Sequence, residues 1–209
     1  MTKKDIACKA VERLEELYPD AICSLNYDSP FQLLIATRLS AQCTDARVNI
    51  VTPRLFSRFP DSTAMANATV EEIEEIIKSC GLYKTKARDI LAAAKMLEED
   101  FWGNIPDSIE ELTRLPGVGR KTANLVMGDI FHKPAVVCDT HFIRITNRLG
   151  LTSSTNPLKV EKDLIKLLPP DKSSAFCHRI VLFGREICTA RKAYCDKCPL
   201  DDICPKKHI

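Results

Sequence analysis

Long apolar runs, a secretion signal and a strong net charge are all missing from this sequence of 209 residues. It contains no run of about 18 apolar residues, the length that a helix needs to cross a bilayer. Residues 1–20 form an amphipathic helical pattern without the apolar stretch and cleavage site of a signal peptide. We therefore expect a cytoplasmic protein, and its 45% hydrophobic residues suffice for one sizeable unit or two small lobes.

Strand patterns are nearly absent as well. The only strand-like run, PAVVC at residues 134–138, is too short and isolated to imply a sheet. Helical periodicity dominates elsewhere, and residues typical of helix ends punctuate it. These are Ser29 with Pro30, Thr69 with Glu72, Ser108 with Glu111, Gly81 and Gly150. The pattern predicts an all-α fold of about ten helices.

The formal net charge is only +2, so bulk charge alone does not indicate a polyanionic partner. The charges are nevertheless segregated along the chain. Acids concentrate at 70–77 and 97–100, and cations at 83–88, 119–121, 142–148 and 189–192. Such cations could form one basic face, or each cluster could be ordinary solvated surface charge.

The stretch LPGVGRKTAN at residues 115–124 predicts a binding site for an anion. If 108–115 and 119–131 are helices, Gly117 and Gly119 let main-chain N–H groups converge at a helix N-terminus, where anions bind. A dinucleotide fingerprint would need a third glycine and a preceding strand, and a Walker A loop would need glycine directly before Lys-Thr. A helix–hairpin–helix, which holds a nucleic-acid phosphate without reading sequence, fits best, with a plain helical turn as the alternative.

A weaker copy of this pattern occurs earlier in the chain. Aligning residues 79–91 with 115–127 places Gly81 on Gly117 and Lys84 on Arg120. Two such turns could grip one nucleic-acid backbone, although amphipathic helices also resemble each other by chance.

Lys121 and Asp139 are the candidate chemical pair. Lys121 falls in the first turn of the predicted second helix, where the dipole disfavours a cation and so favours the neutral, nucleophilic amine. Asp139 follows the apolar run 134–138 and is a natural N-cap, whose ionised carboxylate suits the stabilisation of positive charge. Taken alone Asp139 is more simply a cap, so the chemical interpretation depends on its pairing with Lys121.

Four of the ten cysteines form a C-x6-C-x2-C-x5-C array. In a reducing compartment this spacing indicates a metal site rather than disulfides. The ligands would be Cys188, Cys195, Cys198 and Cys204, which could hold zinc or an iron–sulfur cluster. The loop between the first two carries Arg191 and Lys192, which could contact a phosphate, or the site could be a purely structural staple. The other six lie singly and are predicted to be small core residues: Cys8, Cys23, Cys43, Cys80, Cys138 and Cys177.

Taken together, these features resemble the bacterial endonuclease III family. The resemblance rests on the hairpin, on DTH at 139–141, on LLIATRLSAQCTD at 33–45 and on the cysteine spacing, and it extends from about residue 5 to 206. The family consists of bifunctional DNA glycosylases and abasic-site lyases that act on oxidised pyrimidines in double-stranded DNA.

The resemblance implies two helical lobes with DNA in the cleft. A six-helix barrel-like lobe would span 22–132 and contain the helix–hairpin–helix at about 108–131. Residues 1–21 plus 133–209 would form a lobe with a [4Fe–4S] cluster on the four array cysteines. The resemblance makes Lys121 the nucleophile and Asp139 the essential aspartate. Candidate DNA contacts are Gln42, Leu82, Gly117, Gly119, Arg120, His141, Arg191 and Lys192.

The implied reaction begins when the damaged nucleotide is flipped out, while Gln42 and Leu82 fill the gap. Lys121 would attack C1′ of the sugar, expel the base and form an iminium link, and β-elimination would then break the strand on the 3′ side. The enzyme would be a monomer in a bacterial or archaeal cytoplasm, associated with the nucleoid.

Two rival interpretations remain at the level of sequence. An adenine-specific mismatch glycosylase shares the hairpin, the aspartate and the cluster, but it lacks the lyase lysine. A non-catalytic DNA-binding module with structural zinc would need neither Lys121 nor Asp139. Three neighbours of these site residues are ambiguous: Cys43 and Cys138 could approach the cleft or be buried, and His141 could line the pocket or cap a helix.

Overall fold

The computed structural model describes residues 1–207, and helices make up most of this part of the chain. The α-helices are α1 Lys3–Leu17, α2 Pro30–Ser40, α3 Asp45–Arg58, α4 Ser62–Ala66, α5 Val70–Ile77, α6 Tyr83–Phe101, α7 Ile109–Leu112, α8 Arg120–Asp129, α9 Thr140–Arg148, α10 Pro157–Ile165 and α11 Ser173–Glu186. Short 3₁₀ turns cover Pro170–Lys172 and Cys195–Lys197. Within residues 1–207 the only β pairing is one isolated bridge between Cys188 and Ala193, so the all-α prediction is confirmed. None of the helices in that range is both long and apolar enough to span a membrane.

The chain divides into two compact units. The terminal unit contains Met1–Ile22 together with Phe131–Ile209, and the middle unit contains Cys23–Ile130. The middle unit, all of which is described, holds the seven helices α2 to α8, where the sequence had suggested six. Helix α4 has only 5 residues, too short for periodicity to reveal it, and α7 has only 4, within the helix predicted at 108–115.

The middle unit buries α2 almost completely, including Leu33, Leu34 and Leu39. Ser29 caps this helix by accepting the N–H of Gln32, and Pro30 occupies its first turn. The Lys86 side chain is fully buried, and its Nζ donates to the carbonyl of Leu39 at 2.7 Å. Burial lowers the pKa of Lys86. The expectation that all cations of 83–88 lie on the surface is therefore wrong for this lysine, which joins α6 to the end of α2.

The terminal unit packs α1, α9, α10 and α11 around one apolar core. Helix α1 contributes Ala7, Ala10, Val11 and Leu14, which repeat at helical spacing. In the same core Phe142 and Phe176 meet edge to face, with ring centroids 6.2 Å apart. This core holds the start of α9, where Asp139 lies, in a fixed position.

The strand-like run 134–138 is extended but forms no strand. Its N–H groups donate instead to side chains of α11. The Ala135 N–H donates to Ser173 Oγ at 3.2 Å, and the Val137 N–H donates to Cys177 Sγ at 3.3 Å. These two side chains replace the neighbouring strand that a sheet would supply.

Candidate functional site

The glycine hairpin connects α7 to α8 in the middle unit. Both helices are shorter than predicted, since α7 ends at Leu112 and α8 covers Arg120–Asp129. The residue before a proline is disfavoured in helical conformation, so Pro116 prevents α7 from continuing to Leu115. The connector is consequently longer than the sequence suggested, and it places the N-terminus of α8 after a turn at residues 116–117.

The two hairpin glycines serve different purposes. Gly117 has φ +75°, and a Cβ there would lie 2.5 Å from Arg38 Nε and 2.8 Å from Asp89 Cβ. Arg38 in turn donates to Asp89 at 2.9 Å, so the turn packs closely on an ion pair that joins α2 to α6. Gly119 is the N-cap of α8 with an ordinary φ of −96°. No atom of the described chain would lie within 4 Å of a Cβ at this position.

Replacing Gly117 by alanine should lower the free energy of unfolding by about 1–3 kcal/mol. Alanine is strained in the left-handed conformation of this residue, and its Cβ would lie too close to the side chains of Arg38 and Asp89. Gly119→Ala is the matched control and should lower the free energy of unfolding by less than about 1 kcal/mol, as substitutions at an N-cap commonly do. Urea unfolding of both variants measures the difference. Equal losses would contradict the distinct roles assigned to the two glycines.

Lys121 is the second residue of α8 and its side chain is exposed. Within the described chain no side chain caps this helix through a hydrogen bond, because its N-cap is Gly119. The first N–H groups of α8 and the Lys121 amine therefore share one helix end, as an anion site requires. The Cys23 thiol is close enough to interact electrostatically with Lys121, which the sequence did not suggest. Burial raises the pKa of Cys23 to about 11, and Lys121 acts in the opposite direction.

Gln42 and Leu82 both occupy exposed turns of the middle unit. Each has a left-handed backbone, with φ of 54° and 60° respectively, which is uncommon for residues with a side chain. The two turns are neighbours, since a Cβ at Gly81 would lie 3.2 Å from the Gln42 carbonyl oxygen. The left-handed residue after α5 is thus Leu82 rather than Gly81, and the prediction of a helix-ending glycine at 81 is wrong. Gly150, with φ +70°, does end α9 as predicted.

The internal repeat is displaced by one residue in the structure. Leu82 is the N-cap of α6, and Gly119 is the N-cap of α8. Matching the N-caps pairs Lys84 with Lys121, whereas the sequence alignment had paired Lys84 with Arg120. The left-handed residue is the N-cap itself in α6 but lies two residues earlier, at Gly117, in the hairpin. The two turns therefore have different backbones.

Asp139 caps α9 in the terminal unit. Its Oδ1 accepts the Phe142 N–H at 2.7 Å, and its Oδ2 lies 3.3 Å from His141 Nδ1. The carboxylate is therefore held at one oxygen by the backbone and at the other by an imidazole. His141 contacts the capping carboxylate and is not itself the cap. Cys138 is half-buried, and burial raises the pKa of its thiol to about 12.

The array cysteines line one partly open cavity in the terminal unit. Cys188 is buried, and the other three are half-buried. Apolar side chains close the inner wall of the cavity, among them Ile145, Leu149, Phe183 and Leu200. Burial raises the pKa of Cys198 to about 11 and also raises the pKa of Cys204. No three Cys, His, Asp or Glu side chains in residues 1–207 converge on a single point as the ligands of one metal ion do.

Two arginines of α9 approach the cysteine cavity. Arg148 is buried, and its Nη1 donates to Cys188 Sγ at 3.2 Å and to the Thr189 carbonyl at 2.8 Å. Its Nε is also buried and has no hydrogen-bond partner among the described residues. Arg144 donates to the Cys188 carbonyl at 2.9 Å. The sequence had grouped both arginines with surface cations, which is wrong for Arg148. Their four-residue spacing on one helix was the signal that could have shown a shared face.

The basic loop after Cys188 is exposed at Arg191 and Lys192. It is ordered by Thr189, whose Oγ accepts the Lys192 N–H at 3.1 Å. The Lys192 ammonium lies 5.0 Å from the centroid of the Tyr194 ring. Both cations are therefore available to a ligand, but the structure does not assign them one.

Known proteins resemble the chain over nearly its whole length. Residues 35–170 match the profile of the HhH-GPD superfamily of base excision DNA repair proteins. Endonuclease III of Synechocystis sp. is 48% identical over 205 residues, which are 98% of this chain and 94% of that protein. Endonuclease III of Escherichia coli strain K12 is 40% identical over 195 residues, covering 93% and 92% of the two chains.

Solved structures agree with these relatives. A trapped covalent intermediate of an endonuclease III with DNA is 42% identical and covers 99% of this chain and 97% of its own, with a TM-score of 0.91. A non-covalent complex of endonuclease III with DNA also has a TM-score of 0.91. The predicted resemblance is confirmed, and the chain belongs to the HhH-GPD superfamily of base excision DNA repair proteins.

Proposed function

We propose that the chain is a DNA glycosylase and abasic-site lyase that removes oxidised pyrimidines from double-stranded DNA. The observation that carries the proposal is Lys121, an exposed amine in the first turn of α8, two residues after the N-cap Gly119. An adenine-specific mismatch glycosylase would not need this amine, and a non-catalytic DNA-binding module would need neither the amine nor the Asp139 carboxylate.

The test is reductive trapping on duplex DNA that carries one thymine glycol. Borohydride should convert the iminium intermediate into a stable protein–DNA adduct, and the same duplex with ordinary thymine should give none. Strand scission without an adduct would contradict an iminium mechanism.

The reaction starts with extrusion of the damaged nucleotide, which costs a few kcal/mol of unstacking. Gln42 and Leu82 are proposed to enter the duplex and occupy the space that the base leaves. Leu82 is 57% exposed, so its apolar side chain is accessible to a bound duplex. Its left-handed backbone holds this side chain in a turn rather than in a helix face.

Lys121 Nζ is proposed to attack C1′ of the extruded sugar, so that a C–N bond forms and the bond from C1′ to the base breaks. The bound amine then loses one proton, and cleavage of the C1′–O4′ bond with uptake of a proton at O4′ opens the sugar to an iminium ion that keeps one N–H. The iminium acidifies the C2′ position, and removal of a proton there expels the 3′-phosphate by β-elimination.

Asp139 is proposed to stabilise the positive charge that develops on the sugar. Its Oδ1 already accepts the Phe142 N–H, so the carboxylate does not have to reorganise during the reaction. Oδ2 is in contact with the His141 imidazole, whose Nδ1 lies 3.3 Å away. This oxygen is the one suited to face a cationic sugar or to accept the proton of the attacking amine.

Phosphates beside the lesion are proposed to bind the first N–H groups of α8, after Gly119, with Arg120 and the loop of Arg191 and Lys192 as further contacts. These contacts carry no sequence information, as expected for an enzyme that must act wherever damage occurs. Since its substrate is the chromosome, we place the enzyme at the nucleoid of a bacterial or archaeal cytoplasm.

The cysteine cavity is proposed to hold a [4Fe–4S] cluster on Cys188, Cys195, Cys198 and Cys204. A single zinc would draw four sulfurs to about 2.3 Å from one point, whereas no three Cys, His, Asp or Glu side chains in residues 1–207 converge in that way. The buried Arg148 guanidinium beside Cys188 offsets the charge of the thiolates. When bound, the cluster would cross-link the loop from Cys188 to Cys204, and none of the reaction steps above depends on it.

Replacing Cys198 by serine should remove most of the iron and inorganic sulfide that co-purify with the protein, because one of four thiolate ligands is lost. Cys8→Ser, which alters a half-buried cysteine outside the array, is the control and should leave both contents unchanged. Elemental analysis combined with visible absorbance measures the loss. Zinc without sulfide in the wild-type protein would contradict the cluster.

A further inference from the structure

Two cysteines outside the array lie side by side in the middle unit. Cys80 is fully buried, and Cys43 is half-buried. The Cys43 side chain hydrogen-bonds with the Cys80 thiol, although 36 residues separate them in the chain. The turns around them are also in contact, since a Cβ at Gly81 would lie 3.2 Å from the Gln42 carbonyl oxygen. The sequence had suggested that each is an isolated core residue, and the structure shows a pair.

The surroundings give the two sulfurs different reactivities. Burial raises the pKa of Cys80 to about 11, and the positive charges of Lys86 and Arg47 oppose this rise. The buried Lys86 ammonium is close enough to both sulfurs to interact with each of them electrostatically. Cys43 is the more exposed of the two residues, since Cys80 is fully buried. This is the usual arrangement of an attacking thiol and a resolving thiol.

We propose that Cys43 and Cys80 are a redox-active dithiol whose disulfide ties the turn of Gln42 to the turn of Leu82 and slows lesion processing. The oxidant class is a low-molecular-weight disulfide. The Cys43 thiolate attacks one sulfur of the oxidant, forming a mixed disulfide and releasing one thiol. The Cys80 sulfur, after losing its proton, attacks the Cys43 sulfur and releases the second thiol. The protein loses two electrons and two protons, and the oxidant is reduced to two thiols.

The bond would link two turns that are already neighbours. The two sulfurs must approach to about 2.0 Å, and their Cβ atoms to about 3.5–4.5 Å. Both cysteines lie in turns rather than inside helices, with Cys43 after the end of α2 and Cys80 after the end of α5. Gln42 and Leu82 each lie within two residues of the new bond. A link there restricts the two side chains that are proposed to enter DNA.

Peptide mapping tests the disulfide directly. The holoprotein is equilibrated with mixtures of reduced and oxidised glutathione, alkylated and digested under non-reducing conditions. We expect one peptide pair joined through Cys43 and Cys80, which dithiothreitol separates. In Cys80→Ser the pair is lost and a glutathione adduct remains on Cys43, while the control Cys8→Ser keeps the pair. Free, alkylated Cys43 and Cys80 in the most oxidising mixture, or a persistent glutathione adduct in the wild type, would overturn the proposal.

Cleavage of thymine glycol DNA tests the effect of the bond and rests on the proposed function. The oxidised wild type should cleave about tenfold more slowly or worse, since misplacing a positioning group costs this much, and dithiothreitol should restore the rate. Cys43→Ser, which can form neither the disulfide nor the glutathione adduct at residue 43, should keep its own reduced rate in the oxidising mixture. If the protein with the Cys43–Cys80 disulfide cleaved at an unchanged rate, the proposal that the disulfide slows lesion processing would be overturned. A reduced wild type that cleaves nothing would instead contradict the proposed function and leave the peptide result intact.

Discussion

Lys121→Gln should abolish the protein–DNA adduct that borohydride traps and should slow strand scission by more than about 10³-fold. Glutamine keeps the length and polarity of the side chain near that of lysine, but its amide nitrogen cannot form an iminium with the sugar. Lys121 is exposed, so the substitution removes no buried contact and should leave the thermal stability unchanged. Gel electrophoresis of the trapped complex and a nicking assay measure the two effects.

Lys84 provides a matched control for this experiment. It is the second residue of α6, as Lys121 is the second residue of α8, and it is exposed in the same way. Lys84→Gln removes one cation from an equivalent helix position, so it should still form the adduct. An adduct of undiminished yield in Lys121→Gln would show that another amine is the nucleophile. Lesion binding that is lost in Lys121→Gln and kept in Lys84→Gln would indicate a phosphate contact instead.

Features that depend on only a few neighbouring residues could be predicted from the sequence. The caps at Ser29, Thr69 and Asp139 all form as predicted, because an N-cap depends on a side chain and the N–H three residues ahead. The hairpin and the cysteine array were equally visible, since each lies within a short stretch of chain. Such features do not depend on contacts with distant segments of the chain.

Contacts between distant segments could not be read in this way. Lys86 looks like one of several surface cations, and only the approach of α2 buries it against the Leu39 carbonyl. Arg148 is similarly unremarkable until Cys188, far along the chain, meets it at 3.2 Å. The left-handed residue at Leu82 contradicts local preference, which favours glycine at such positions, and Gly81 stands next to it. Leu82 is itself a candidate site residue, and such residues are often held by tertiary contacts in conformations that local propensity disfavours.

Asp139→Asn should slow base release by about 10²–10³-fold, the usual loss when a preorganised electrostatic group is removed. Asparagine caps helices about as well as aspartate, so its side-chain oxygen can still accept the Phe142 N–H. The change therefore removes the negative charge and keeps the cap, and the free energy of unfolding should change by less than about 0.5 kcal/mol. Single-turnover release of thymine glycol, together with urea unfolding, separates the two quantities.

Asp61 supplies the control, because it caps α4 by accepting the Ala64 N–H at 2.8 Å. Asp61→Asn also removes the charge of a capping carboxylate and keeps the cap, but it lies in the middle unit, which also contains Lys121. This variant should leave the rate of base release unaltered. Asp139→Ala removes the cap as well as the charge, so it should lose about 1 kcal/mol of stability in addition to activity. If Asp139→Asn released the base at the wild-type rate, the carboxylate would be a cap and nothing more. A loss of activity in Asp139→Asn at wild-type stability is what assigns its charge to the transition state rather than to the fold.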